Sequence, residues 1–520
     1  MKKCLSWIIV LSVIVAASII KLHLLNISLE RDEGEYAYIA QLLMGGTPLY
    51  ISAFSAKLPG IYFFYAFIMA LFGQSSYGIH LGLLFVNAAS TILVFLLARR
   101  LLDPYAGALA AAAFAILTLG KYTLAFNIEH LVIFLVLGGF LLMLRAIDRG
   151  AGFLSTGIVF GLAFIAKQHA AFFVLFGALY LAWAPPVILK ERVKKAGLFL
   201  AGAALPFVAL CALFYMQGVF GNFWFWVVTY ASRYCAVMTF PDGIRSLLYV
   251  GGKIAGCAPL IWGAAGVGLV AIGASRLERP KAVFMLGLAV TSFLAITPGL
   301  YFRHHYFIFL FPAAALLVGA AARPLEAPRP RKVVLMALFI IFFALTIFQQ
   351  RQFLFGMGPI AASRAIYVNS PVAESVEVAN YIEKRSGKDA RVIVLGSEPQ
   401  IYFYLQRKSP VNFIYMYPLM EKTPYAPGMQ ERFAKEVAAA NAEYLIGVHI
   451  NTSWFNWYVN KKLTEPLFGW IEAYQNRYYD VVGVADMVSR DETVYRWDED
   501  ARQYKPRSDN YILVFKRRPA

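Results

Sequence analysis

The chain has 520 residues, of which 60% are apolar and only 15% charged, whereas an ordinary soluble domain carries about 25% charged residues. That balance excludes a simple water-soluble protein and points to a polytopic membrane protein. A formal net charge of +18 raises nucleic acid as a partner, and the placement of the charges along the chain decides that question.

Lys2 and Lys3 precede an apolar run from Leu5 to Leu25. The run is longer than a signal-peptide core and lacks a convincing small-residue cleavage site, so it is expected to be a retained span that starts inside. Further apolar runs, each long enough to cross roughly 30 Å of hydrocarbon as a helix, recur to about residue 350. Windowed hydropathy predicts about eleven spans. Their centres lie near Val15, Ala88, Ala112, Leu137, Ile158, Ala178, Ala204, Ala258, Gly287, Ala314 and Phe342.

Basic residues punctuate every second turn. Arg99/Arg100, Arg145/Arg149, Lys190/Arg192/Lys194/Lys195, Arg276/Arg279/Lys281 and Arg323/Arg329/Arg331/Lys332 fall on the same face as Lys2 and Lys3. The positive-inside rule makes that face cytoplasmic, so the excess charge is a topology signal and implies no nucleic acid. "ARPLEAPRPRK" is expected to be a short cytoplasmic linker. The opposite face carries longer loops, one from about Asn26 to Ser76 and another, "GVFGNFWFWVVTYASRYCAVMTFPDGIR", rich in the Trp and Tyr that favour the bilayer interface. An odd number of spans places the C-terminal region on this extracytoplasmic side. The expected protein therefore sits in the plasma (inner) membrane with its N-terminus cytoplasmic.

Residues 1–352 are expected to form the membrane domain and residues 353–520 a small α/β domain. In the latter, "SPVAESVEVANYIEKR" offers Ser370 as N-cap and Pro371 at the first helical position, with Val372, Val376, Ala379 and Ile382 on one face. "ARVIVLGSEPQIYFYLQ" reads as strand, turn and helix, and "EYLIGV", "YDVVGVA" and "NYILVFK" as further strands. No GxGxxG or Walker loop argues for a nucleotide. "DED" at Asp498 to Asp500 lies in a charged run without a Gly-rich partner and is read as a solvated loop. Asn26 and Asn451 head N-x-S/T sequons. The cysteines Cys4, Cys211, Cys235 and Cys257 form neither a disulfide framework nor a zinc motif.

Ionisable groups at membrane depth are costly and are kept where they pair or act. On the outer face these are Asp32, Glu33 and Glu35; Lys57; Lys121 and Glu129; Lys167, Gln168 and His169; Arg233; and Arg303, His304 and His305. If "DEGEYAYIAQLL" is an interfacial helix, Asp32 and Glu35 lie together while Tyr36, Ile39 and Leu43 face the apolar side. Acids facing Lys57, Arg303 and His305 would combine a carboxylate that takes a proton from a hydroxyl with cations that neutralise a departing phosphate. Glu33 and Glu35 are read as orienting or solvent-facing, Lys121 and Lys167 as snorkelling. Adjacent histidines are poor ligand geometry, so no metal site is expected. Arg303 suits phosphate recognition.

Together these motifs resemble a known family. "RDEGEYAYIAQLLMGGTPLYISAFSAKLPGIYFFYA" is similar to the first periplasmic loop of GT-C glycosyltransferases, in the bacterial branch related to protein O-mannosyltransferases and the aminoarabinose-to-lipid A transferase. "FNIEHLVIF", "GLAFIAKQHAA" and "RHHYFIFLFPAAALL" resemble later segments of that branch, and "VIVLGSEPQIYFYLQRKSP" resembles its soluble tails. The resemblance implies a sugar donor on polyprenyl phosphate, no nucleotide sugar, and an inverting single displacement. It implies Asp32 as general base, Lys57 near the donor phosphate, Glu129 as an orienting acid and Arg303 near the lipid phosphate. Glu33, Glu35, Tyr36, His304 and Arg233 are expected in supporting places. The family's "KPP" reads "KLP" here, and the doubled histidine leaves open which imidazole, His304 or His305, faces inward.

The expected partners are a lipid-linked sugar donor, membrane lipid, and an acceptor that is lipid, glycan or protein. No cofactor is certain, and dependence on a divalent metal stays open. A transporter or lipid flippase is the alternative, but it predicts polar residues at mid-depth and inverted repeats, whereas here the charges gather on one side. A membrane-anchored binding protein would need only one span.

Overall fold

The computed structural model describes residues 2–184, 186–234, 238–274, 277–322, 329–368, 370–454 and 461–519. Cys235, Arg276 and Arg323 fall outside the described residues, as does most of the expected linker.

The first part of the chain is a helical bundle. Helices α1 (Lys2–Leu22), α2 (Arg31–Met44), α3 (Gly60–Phe72), α4 (Ser76–Leu101), α5 (Pro104–Leu117), α6 (Ile128–Arg149), α7 (Phe153–Ala166), α8 (Ala171–Trp183) and α9 (Leu189–Met216) follow one another in chain order. Later come Phe240–Cys257, Pro259–Ala274, Arg279–Ala295, Phe311–Ala321 and Arg329–Gln349. Ten of the predicted span centres fall inside these helices; the eleventh, Ala258, falls at a break. There the helices Phe240–Cys257 and Pro259–Ala274 meet at 103°. The cause is Pro259, which pushes the preceding residue out of the helical region: Ala258 has φ −147° and ψ 57°. Among the described residues five helices are long and apolar enough to cross a membrane, six if the bent pair counts as one span. The remaining predicted runs include shorter helices such as α5 and α7, because a hydropathy window sums apolar residues without seeing where a helix stops. The predicted loop 26–76 also contains α2 and the apolar α3, whose 13 residues are too few for a spanning window.

Small residues set a close helix contact. A Cβ on Gly157 would lie 2.0 Å from the Phe199 carbonyl oxygen, and one on Gly161 2.4 Å from that of Ala203, so this G-x-x-x-G pair lets α7 lie directly on the α9 backbone. The bundle has two chemically different ends. Arg100 near the end of α4 pairs with Asp148 near the end of α6 at 2.5 Å; at the start of α4, His80 meets Glu33 at 3.0 Å and the Leu25 carbonyl at 2.9 Å. Arg100 and the first-loop acid Glu33 therefore sit near opposite ends of α4.

The C-terminal domain contains a five-stranded sheet in the order β1-β2-β5-β3-β4. β1 (Val392–Leu395) runs parallel to β2 (Tyr444–His449), whereas β5 (Tyr511–Arg517) is antiparallel to both β2 and β3 (Tyr479–Asp486). β4 (Val494–Trp497) closes the β3 edge and has no predicted counterpart, being only four half-exposed residues. The helix expected to start at Pro371 runs Val372–Glu383, with Pro371 itself as N-cap. Asp498 of the "DED" run is tied to Tyr381 at 2.8 Å and Arg385 at 2.7 Å, a local structural role rather than a free loop.

This domain is seated on α2. Arg31 pairs with Glu398 at 2.5 Å, the Leu29 amide donates to Tyr404 Oη at 2.8 Å, and the Ser409 amide donates to Tyr38 Oη at 2.7 Å. The segment after 352 also packs back, with Phe353, Leu354 and Ala362 buried beside Leu24, Ile27 and Leu119. At the centre of the seat, a Cβ on Gly34 would stand 2.5 Å from Gln400 Cβ and 2.7 Å from its backbone nitrogen. Gly34→Ala should therefore lower the thermal unfolding midpoint by an amount equivalent to about 1–3 kcal/mol of overpacking, and Gly34→Val by more. Unchanged melting in both would mean that the domain does not rest on α2.

Candidate active site

The site is assembled around α2, whose first turn is fixed by its own acids. Glu30 is the N-cap and accepts the Asp32 amide, while Glu33 reaches back to the Glu30 amide, a reciprocal capping box. Glu33 is fully buried; it also binds His80 and accepts the Phe126 amide, which locks the helix against the bundle. Of the two expected places for Glu33, orienting or solvent-facing, its burial removes the second.

With that register fixed, Asp32 and Glu35, three residues apart, share one side of the helix. Lys57 Nζ lies 2.7 Å from Asp32 Oδ1 and 2.7 Å from Glu35 Oε2, and 4.4 Å from the Tyr36 ring centroid. Glu35 also accepts the Ser55 hydroxyl, which in turn takes a hydrogen bond from Tyr62 Oη at 2.6 Å. Tyr36, expected on the apolar side, thus forms a floor beneath the lysine. Burial by itself would raise the Asp32 pKa, but Lys57, His305 and Arg303 outweigh it and hold the carboxyl well below the usual carboxylate range. Burial likewise opposes the charge on Lys57, and Asp32 and Glu35 overcome it.

Asp32, Lys57, Arg303 and His305 line one cavity of about 530 Å³. Its walls come from both parts of the protein: Lys167, Gln168 and His169 before α8, Trp226 and Tyr230 from the predicted aromatic loop, and Tyr415, Tyr417 and Glu421 from the C-terminal domain. Glu129 stands behind this lining. It is fully buried, pairs with Lys167, and lies 3.9 Å from His305 Nε2. Lys167 is therefore an ion-pair partner and does not snorkel as expected, because a buried carboxylate needs a counter-charge. The structure separates the two histidines: His305 lines the cavity, whereas His304 stacks on Tyr122 with ring centroids 4.3 Å apart and is outside the lining. Arg233 is exposed and is not brought to the cavity, although the adjacent Ala231 and Ser232 are. Among the described residues no group of three or more His, Cys, Asp or Glu side chains is arranged to hold a metal ion.

The residues that sequence reasoning missed all come from segments read as something else. Tyr415, Tyr417 and Glu421 belong to "NFIYMYPLME", in a domain read as separate from the membrane site. Trp226 and Tyr230 were read as interface aromatics; in the structure Phe225–Tyr230 form a π-helical turn. The aromatic density of both stretches was the available signal.

Residues 56–215 match the family model described as dolichyl-phosphate-mannose-protein mannosyltransferase. The archaeal oligosaccharyltransferase AglB from Archaeoglobus fulgidus, solved with an inhibitory peptide and a dolichol-phosphate, superposes with a TM-score of 0.55 at 14% identity, over 94% of this chain and 74% of that one. ArnT from Cupriavidus metallidurans, solved bound to undecaprenyl phosphate, gives 0.56 at 15% identity, over 85% of this chain and 92% of that one. Both are GT-C glycosyltransferases, and the chain shares their fold. No curated protein sequence matches the chain significantly.

One wall residue gives a pH signature. Burial raises the Glu421 carboxyl to about 7, although the Tyr230 hydroxyl and the Arg303 charge both lower it. Its folded pKa therefore lies above its ordinary value of 4.5, so the protonated form favours folding and that contribution is lost as pH rises through about 7. The thermal midpoint of the wild type should fall between about pH 4.5 and 7 more steeply than that of Glu421→Gln. Superimposable profiles would show that burial does not raise the Glu421 carboxyl above its ordinary range.

Proposed function

We propose that the chain is an inverting membrane glycosyltransferase that moves a sugar from a polyprenyl-phosphate carrier to an acceptor hydroxyl on the extracytoplasmic face. The observation that carries this reading is the convergence of one carboxylate, Asp32, with Lys57, Arg303 and His305 on a single cavity. The GT-C fold supports it, as do the lipid phosphates bound in the two solved relatives.

The roles follow from charge. A phosphate leaving group needs little protonation, so fixed cations suffice on the donor side. Lys57 and Arg303 take the phosphate, with His305 beside them. Asp32 works on the acceptor. Lys57 and Tyr415 both address its Oδ1, at 2.7 and 3.5 Å, and among the described residues no hydrogen bond or ion pair reaches Oδ2. The Oδ2 lone pair takes the acceptor proton while the acceptor oxygen bonds to the anomeric carbon and the anomeric C–O bond breaks, its electrons leaving with the phosphate. One displacement inverts the centre, and no second carboxylate nucleophile is required. Glu129 orients the site through Lys167.

The resting Asp32 is a weak base because Lys57 stabilises its anion. A donor phosphate competes for the same ammonium, and each increment of attraction that Lys57 transfers to the phosphate restores basicity to Asp32. Donor binding thereby prepares the base.

Purified protein incubated with a panel of polyprenyl-phosphate sugars and a cell-envelope extract as the source of acceptor hydroxyls should release polyprenyl phosphate as the sugar passes to the acceptor. Asp32→Asn should lower transfer by at least about 100-fold while leaving melting and donor binding in place; wild-type turnover in this variant removes Asp32 from the mechanism. Lys57→Ala and Arg303→Ala should each weaken donor binding by about tenfold or more, the value of one charge-assisted contact, and unaltered donor kinetics in both would refute the phosphate role.

A further inference from the structure

Apart from the contact of Tyr415 with Asp32, the wall supplied by the C-terminal domain has no part in the chemistry above, yet it contains a built polar feature. Glu421 follows the short helix Tyr417–Met420, is 3% exposed, and lines the cavity. Tyr230 Oη donates to its Oε2, whereas among the described residues Oε1 is buried without a hydrogen-bond partner. A buried carboxylate oxygen left in that state is costly unless a ligand donor completes it. The π-helical turn Phe225–Tyr230 widens the helix by one residue, a distortion found frequently at functional sites, and here the turn ends on the tyrosine that holds Glu421.

The surroundings narrow the ligand. Trp226, packed 5.2 Å from the Tyr230 ring, together with Tyr417 and Pro418, gives the same wall broad apolar faces. Flat hydrophobic surfaces around a single fixed hydrogen-bond acceptor suit a molecule with C–H faces and peripheral hydroxyls. The position narrows it further, because Arg303, assigned to the donor phosphate, is near enough for its charge to act on Glu421. The group next to that phosphate is the sugar bonded to it.

We infer that Glu421, held by Tyr230, is a sugar-binding residue whose Oε1 accepts a hydrogen bond from a ring hydroxyl of the transferred sugar, while Trp226 and Tyr417 cover its apolar faces. The inference rests on the proposed function and makes the C-terminal domain a reader of donor identity.

The test uses full-length protein in detergent and two ligands: bare undecaprenyl phosphate, and undecaprenyl phosphate bearing whichever of mannose, glucose, galactose or arabinose the wild type releases. Glu421→Gln presents an amide N–H in place of the acceptor oxygen. It should bind the bare carrier like wild type and the sugar-bearing carrier about ten- to 100-fold more weakly. Tyr230→Phe should give a smaller loss confined to the same ligand. Retained affinity for the bare carrier also certifies that the variants are folded. Equal weakening of both ligands, or no weakening of either, overturns the assignment. Failure of the wild type to release carrier from any of the donors refutes the proposed function itself.

Discussion

The site depends on one ammonium shared by two carboxylates. Lys57 is equidistant, at 2.7 Å, from Asp32 and Glu35. Without it, two acids one helical turn apart would have to ionise together in a largely desolvated wall, and one would take up a proton. A lysine suits this position because its charge is compact and its stem adjusts, so it can answer to a third anion as well. Everything around it serves to hold the carboxylates in range: the capping box, the Glu33–His80 contact and the Ser55–Tyr62 chain all fix the register of α2.

That register is also read by the C-terminal domain. Arg31, adjacent to Asp32 in sequence, turns to the opposite partner and pairs with the fully buried Glu398. Gly34, between Asp32 and Glu35, lets Gln400 approach the helix backbone. The domain thus clamps α2 along the very residues that separate the site acids, and closes the cavity with Tyr415, Tyr417 and Glu421. A cavity built from both halves needs both halves in place.

Much of this was legible in the sequence. Apolar runs located helices at ten of the eleven predicted centres, and "DEGEYAYIAQLL" gave α2 with Asp32 beside Glu35. Hydrophobic runs gave four of the strands. Long-range consequences were not legible. The break at Ala258 needed the effect of Pro259 to be weighed above the apolar sum, and the Glu129–Lys167 pair joins residues whose separate surroundings each read as an interface. Whether His304 or His305 turned inward depended on Tyr122, which stacks with the former. The seat between Gly34 and Gln400 joins residues from opposite ends of the chain, and no local pattern in either announces it.

The crowding of acids after the first helix has a division of labour. Glu30 and Glu33 are spent on the helix terminus, where their oxygens accept the unpaired amides of Asp32 and Glu30. Glu35 is spent on Lys57 and Ser55. Only Asp32 combines a fixed oxygen, held by Lys57, with a second oxygen that no described residue occupies, on the wall of a cavity whose other charges are mainly positive. Three acids acting as structure leave the fourth with a lone pair open to the cavity, because a carboxylate in a largely desolvated wall can stay ionised and unencumbered only where its neighbours have already settled the helix end and the counter-charge.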